Sequence, residues 1–224
     1  MTDYYSEKLS AERLRAVYDL APPRTKAYLE AEIDLVLERI SPGMIALELG
    51  CGYGRVLKRL VDKVRVAVGI DTSVTSLQMA RDFVGAFPSL HLAAMNAAGM
   101  GLGGRAFDIT ICIQNGISAF HVDRRKLFAE AVRVTKPGGT VLFSSYSPKF
   151  WNHRLEWFEI QAAHGLVGEI DCQRTGNGVI VAKDGFTGTA VGDAEFETLA
   201  VSVGQRANIM EVDNSSLFCE ITVA

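Results

Sequence analysis

From residue 44 onward, short apolar runs alternate with stretches in which apolar positions recur every three or four residues. The runs at 44–49 (MIALEL), 64–70 (VRVAVGI), 89–93, 107–113 and 139–145 have the length and continuity of strands buried on both faces. Between them, Val56, Leu57, Leu60 and Val61 make a helical stripe over 55–63. Leu127, Phe128, Ala131 and Val132 make another over 124–135, with Asp123 placed to cap it. Strand and helix in alternation predict an α/β fold on a mostly parallel, doubly wound sheet with helices on both faces. Two amphipathic helices precede it, at 6–20 and 25–40, the second showing Leu29, Ile33, Val36, Leu37 and Ile40 on one face. Pro22-Pro23 separates the two, and Ser41-Pro42-Gly43 ends the pair.

After Tyr146 the pattern changes. Residues 148–164 read as a helix, with Trp151, Trp157 and Phe158 as its packing residues. Residues 165–192 hold seven glycines and the turn signals Gly176-Asn177 and Asp184-Gly185, which predict a three-stranded antiparallel meander at 168–175, 178–183 and 186–191. A last helix runs from Asp193 to about Val203. Strands at 207–212 and 216–223 finish the pattern, Leu217, Cys219, Ile221 and Val223 alternating in the second. The organisation expected is one domain over 1–224, with 1–40 as an N-terminal helical cap and 165–192 as an antiparallel β insertion or lid.

Chemistry concentrates where the first strand meets its helix. Glu48-Leu49-Gly50-Cys51-Gly52-Tyr53-Gly54-Arg55 puts an acid two places before a G-x-G-x-G loop. Glycines there let the backbone turn and approach a ligand without a Cβ in the way. Asp71 ends the next apolar run, 21 residues after Gly50, where an acidic side chain can accept hydrogen bonds from ribose hydroxyls. A dinucleotide fingerprint needs G-x-G-x-x-G, and its third glycine slot holds Arg55. Glu48 would also face a pyrophosphate of its own sign. It suits a phosphate-free nucleoside with a cationic centre, and S-adenosylmethionine, with a sulfonium and an α-ammonium group, is such a ligand. Arg55 itself reads as a solvated first-turn residue, and Cys51 as a small filler within the loop.

On ALELGCGYGR (46–55), VGID (68–71), FDITICIQNGISAF (107–120) and VTKPGGTVLF (134–143), the chain resembles the class I S-adenosylmethionine-dependent methyltransferases over roughly residues 42–146. The resemblance implies a Rossmann-like, seven-stranded, mostly parallel sheet with an antiparallel last strand inserted beside the sixth. It implies that the Leu49–Gly54 loop passes under the cofactor, with Gly50 and Gly52 at closest approach. Glu48 would then act near the amino group, Asp71 and Thr72 near the ribose and adenine, Asn96 and Ala97 at the adenine edge, and Gln114 and Asn115 near the sulfonium. Asn96 stands where the family often has Asp. Arg24 is a candidate for the cofactor carboxylate, and His121, Tyr5 and Tyr18 are candidates for a catalytic base. Residues 113–116 (Ile-Gln-Asn-Gly) lack the proline-containing signature of adenine, cytosine and glutamine methylation. ICIQNGISAF is similar instead to small-molecule enzymes of the glycine N-methyltransferase type.

Composition narrows the partners. A net charge of −3 over 224 residues shows no electrostatic footprint for nucleic acid. No apolar run is long enough to span a membrane, and the polar start MTDYYSEKLS is unlike a signal peptide. Cys51, Cys112, Cys172 and Cys219 are scattered, as expected of reduced thiols in a cytoplasmic protein, and no metal-ligand spacing is present. The expectation is a cytoplasmic small-molecule methyltransferase, with an oligomer left open. A protein or RNA methyltransferase, a non-catalytic cofactor-binding regulator and a nicotinamide-dependent oxidoreductase are the alternatives.

Overall fold

The computed structural model describes residue 4 and residues 8–224. Helices α1 (Ala11–Asp19) and α2 (Pro23–Glu38) lead into β1 (Ile45–Leu49). There follow α3 (Leu57–Leu60), β2 (Val66–Asp71), α4 (Val74–Val84), β3 (Leu90–Ala94), β4 (Phe107–Cys112), α5 (Gly116–Ala119), α6 (Arg124–Val134) and β5 (Thr135–Tyr146). Helix α7 (Trp151–Ala163), the two-residue strands β6 (Ile180–Val181) and β7 (Thr187–Gly188), α8 (Asp193–Ser202), β8 (Asn208–Val212) and β9 (Ser216–Thr222) complete the chain. The expected doubly wound sheet is present. Its seven strands run in the order β3-β2-β1-β4-β5-β9-β8, and the first five are mutually parallel. Strand β9 lies between β5 and β8, antiparallel to both.

The alternation of side chains on these strands builds two cores. Leu47, Phe143, Leu217, Cys219 and Ile221 face α6 and α8, where Phe128 stacks on Phe143 with centroids 4.1 Å apart. Ala46, Ala67, Ile111, Leu142 and Phe218 face α2, α3 and α4. A third core lies beyond the strand ends, where Val17, Tyr28 and Leu29 of the first two helices meet Tyr146, Trp157, Phe158, Ile180 and Phe186. That cluster fixes the roof over the carboxyl ends of the strands.

Two expectations change. The helix expected at 55–63 is a single turn, Leu57–Leu60, flanked by turns. The insertion forms one two-stranded ladder, β6 with β7, plus single bridges at Ile170–Ala182 and Gly176–Val179 in place of a full meander. Its first arm is a turn rather than a strand because Asp171 takes the amides of Gln173 and Arg174 on its own side chain. Among the described residues no helix is long and apolar enough to cross a membrane, and no cluster of metal-ligating side chains occurs.

Candidate functional site

Ligands of open α/β sheets bind outside the carboxyl ends of the strands, where the strand order reverses. Here β1 lies between β2 and β4, and a cavity of about 490 Å³ opens beyond their ends. Its floor is the glycine loop. Gly50 and Cys51 both donate their amides to the Ile70 carbonyl, at 2.8 and 3.0 Å, and Gly54 closes the turn on Cys51. Gly54 has φ +87°, and an added Cβ would stand 2.7 Å from Val84 Cγ2, so the loop can lie flat on α4 only without a side chain. The Asp71 carboxylate braces this floor, accepting from the Gly52 amide at 2.9 Å and the Ser73 amide at 2.8 Å.

The structure brings most of the expected site residues to the cavity wall. Glu48, Gly50, Gly52, Asp71, Thr72, Asn96, Ala97, Gln114, Tyr18 and His121 all line it. Asn96 holds the amide of Ala98 at 2.8 Å and so shapes the third strand's loop as well as facing the cavity. Asn115 is buried beside the cavity and absent from its lining. Its amide group donates to the Thr189 carbonyl, and its carbonyl accepts from Ser145. Arg24 also lies outside it, bound to Asp213 at 2.6 Å and stacked over Phe150, because the turn after β8 offers a carboxylate within reach. Tyr5 falls outside the described residues. None of residues 165–192 lines the cavity. The insertion touches the ends of β4 and β5 through Thr189 and Val191 and packs behind α7 through Phe186, while the roof comes from residues 9–29 and α7.

Several lining residues carried no functional reading in the sequence. Tyr28, Tyr146, Trp157, Phe158 and Gln161 enclose one end, and Phe120 covers Gly50. Arg55 turns inward beneath Tyr18, its guanidinium 4.9 Å from the ring centroid. Behind the wall, Glu32 is fully buried and accepts from the Gln114 amide at 2.6 Å, Ser144 at 2.8 Å and Ser216 at 2.6 Å. It thereby holds the Gln114–Asn115 backbone, where both residues have positive φ. The sequence signal was available: Glu32 stands three residues from Leu29 and one from Ile33, on the apolar stripe of α2.

Electrostatics separate these acids. Burial pushes the Glu48 carboxyl up to about 8, Arg55 opposing and Asp71 adding to the rise. Its Oε2 is buried without a protein hydrogen-bond partner. Burial likewise lifts Glu32 to about 7 against its three donors. Tyr18 and Tyr28 are raised by burial, so both hydroxyls stay protonated. Burial raises the Cys51 thiol too, with Glu48 and Asp71 adding, which removes it as a nucleophile.

Residues 46–139 match a family model described as a methyltransferase domain. Among curated proteins, none matches the chain by sequence. Among solved structures, the PH0226 protein from Pyrococcus horikoshii OT3 is 19% identical over 100% of both chains with a TM-score of 0.68. The N-methyltransferase NodS from Bradyrhizobium japonicum WM9, solved with S-adenosyl-L-homocysteine, is 14% identical over 98% of both chains with a TM-score of 0.64. A chain from the complex of the Haloferax volcanii Trm112 methyltransferase activator with its methyltransferase is 15% identical, over 86% of this chain and 89% of that one, with a TM-score of 0.62. At these identities the likeness is one of fold.

Proposed function

We propose that this chain, whose residues 46–139 match a methyltransferase-domain model, is a class I S-adenosylmethionine-dependent methyltransferase and that it methylates a small-molecule acceptor held between the glycine loop and helix α7. The cavity's donors and acceptors suit that cofactor. Glu48 offers an unpartnered buried carboxyl oxygen to an ammonium group, and Gly50 and Gly52 bring no Cβ to the loop that floors the cavity. Asp71, Thr72, Asn96 and Ala97 lie together on the ends of β2 and β3, the side expected to take the ribose and adenine. Glu48 on the cavity wall disfavours a pyrophosphate-bearing ligand.

The enclosed end of the cavity takes the acceptor. Tyr18, Tyr28, Tyr146, Trp157 and Phe158 supply aromatic and hydroxyl surface there, and Gln161 adds an amide whose Nε2 is buried without a partner. Bound S-adenosylmethionine supplies a methyl group already activated by its sulfonium, so alignment and exclusion of water provide much of the acceleration. The roof of α1, α2 and α7 excludes that water; Trp157 Nε1 ties α7 to the Val17 carbonyl of α1 at 3.0 Å. The tyrosines are proton donors rather than bases. His121, exposed at the rim with φ +50°, is the candidate to carry away a proton from the methylated acceptor.

The observation that carries this reading is that residues 9–29 and α7 line the cavity opposite the glycine loop and narrow it to a pocket of about 490 Å³. Incubation with labelled S-adenosylmethionine and either a metabolite extract or a protein and RNA fraction tests it. Label is expected in a small metabolite, and label confined to macromolecules refutes the proposal. The cytoplasm is the compartment proposed, supported by four free cysteines, three of them buried.

A further inference from the structure

We propose that Arg55 is the receptor for the carboxylate of the cofactor's methionyl end, the cationic half of a zwitterion site whose anionic half is Glu48. The resemblance offered Arg24 as a candidate for that carboxylate, and the structure pairs Arg24 with Asp213. Arg55 is the arginine on the cavity wall. It follows Gly54 directly, so the glycine turn delivers it inward beneath Tyr18. One of its nitrogens, Nη1, reaches Glu30 at 3.3 Å, while Nε and Nη2 are buried with no hydrogen-bond partner. Buried guanidinium donors are costly to leave unmet, and adjacent Nε and Nη2 form the fork that fits two carboxylate oxygens.

Among the described residues no acid fills that fork. Glu32 is spent on Gln114, Ser144 and Ser216. Glu48 feels Arg55 electrostatically but forms no ion pair with it, and its Oε2 is itself unpartnered. A guanidinium and a carboxyl group line one small chamber beside the glycine loop, each with a polar atom unmet, and the carboxyl, raised by burial, ionises when an ammonium sits beside it. A phosphate would meet Glu48, and a bare ammonium would meet Arg55. A ligand that carries an α-carboxylate and an α-ammonium on one carbon satisfies both. The inference rests on the cofactor being S-adenosylmethionine and not on the size of the acceptor.

Calorimetry with S-adenosylhomocysteine and with 5′-methylthioadenosine, the same thioether nucleoside without the amino-acid end, tests it. In Arg55→Gln, affinity for S-adenosylhomocysteine is expected to fall about tenfold or more, while affinity for 5′-methylthioadenosine changes by less than about twofold. Arg55→Lys, which keeps the charge and loses the fork, is expected to fall between. Arg24→Gln serves as the control and is expected to leave both affinities in place. Thermal shifts with each ligand report the same order even where a variant is less stable. Equal loss for the two ligands in Arg55→Gln, no loss for either, or a selective loss in Arg24→Gln overturns the assignment. Failure of the unaltered protein to bind either ligand overturns it through the cofactor itself, an outcome distinguishable from a fault in Arg55.

Discussion

Replacing Glu32 by Gln perturbs the one buried acid that the scaffold holds by three hydrogen bonds. In the folded protein, burial lifts its carboxyl from the ordinary 4.5 to about 7. At about 1.4 kcal/mol per pH unit, the ionised form is about 3 kcal/mol costlier in the folded chain than in the unfolded one. Below pH 4.5 the group is protonated in both states and the favourable contribution is complete. Between 4.5 and 7 the folded chain keeps a proton that the unfolded chain has lost, so the unfolding free energy falls as pH rises. The amide that replaces the carboxyl would keep an oxygen for the Gln114 amide and Ser144 and would present an NH₂ group to Ser216, whose hydroxyl can accept. It carries no proton to lose. The stability of Glu32→Gln relative to the unaltered protein is therefore expected to rise by about 3 kcal/mol between pH 4.5 and pH 8. Urea unfolding at stepped pH measures both proteins on one scale. Glu48 titrates in both and cancels in the difference. A gap that stays flat across that range, or that moves in favour of the acid as pH rises, refutes the account of Glu32 as a carboxyl strained by burial.

Asp71→Ala removes the acceptor for the Gly52 and Ser73 amides at once; affinity for S-adenosylhomocysteine by calorimetry is expected to drop about tenfold or more, and an unchanged affinity refutes the pocket assignment. Gly54→Ala forces a side chain into φ +87° with its Cβ 2.7 Å from Val84 Cγ2. A loss of about 2 kcal/mol in urea unfolding is expected, and a neutral result means the loop has room to lift off α4. Gln161→Leu keeps the bulk of the cavity wall and removes its amide. Cofactor affinity is expected to hold within about twofold while methyl transfer to the acceptor falls, and a parallel loss of cofactor affinity would place Gln161 in the cofactor's half of the chamber.

The sheet was legible because its signals are redundant. Each parallel strand is an unbroken apolar run, each intervening helix repeats its stripe, and β9 alternates Leu217, Cys219 and Ile221 toward one core and Phe218 toward the other. The placement of Asp71 and the glycine loop together at the cavity was legible for a related reason: it is local, set by where one strand ends and the next helix begins. The insertion was read too generously. Its glycines and Asp171 satisfy backbone groups by turns that compete with a ladder, and residue spacing does not say which wins. Arg24 and Asn115 stand off the cavity lining because their partners, Asp213 and Thr189, come from segments 189 and 74 residues away.

The same distance explains why Arg55 and Glu32 were missed, and why the two buried glutamates mean different things. In sequence each is an acid among apolar neighbours. In the structure Glu32 gathers donors from the loop after β4 and from β5 and β9, so its hydrogen-bonding capacity is used by the protein itself. Glu48, near the end of β1, has an oxygen that no described residue meets, on the same cavity wall as an arginine with unmet donors. A folded chain tolerates a buried charge left unmatched only where something else completes it. The satisfied acid belongs to the scaffold that fixes the Gln114 backbone, and the unsatisfied pair marks where a zwitterionic ligand end sits.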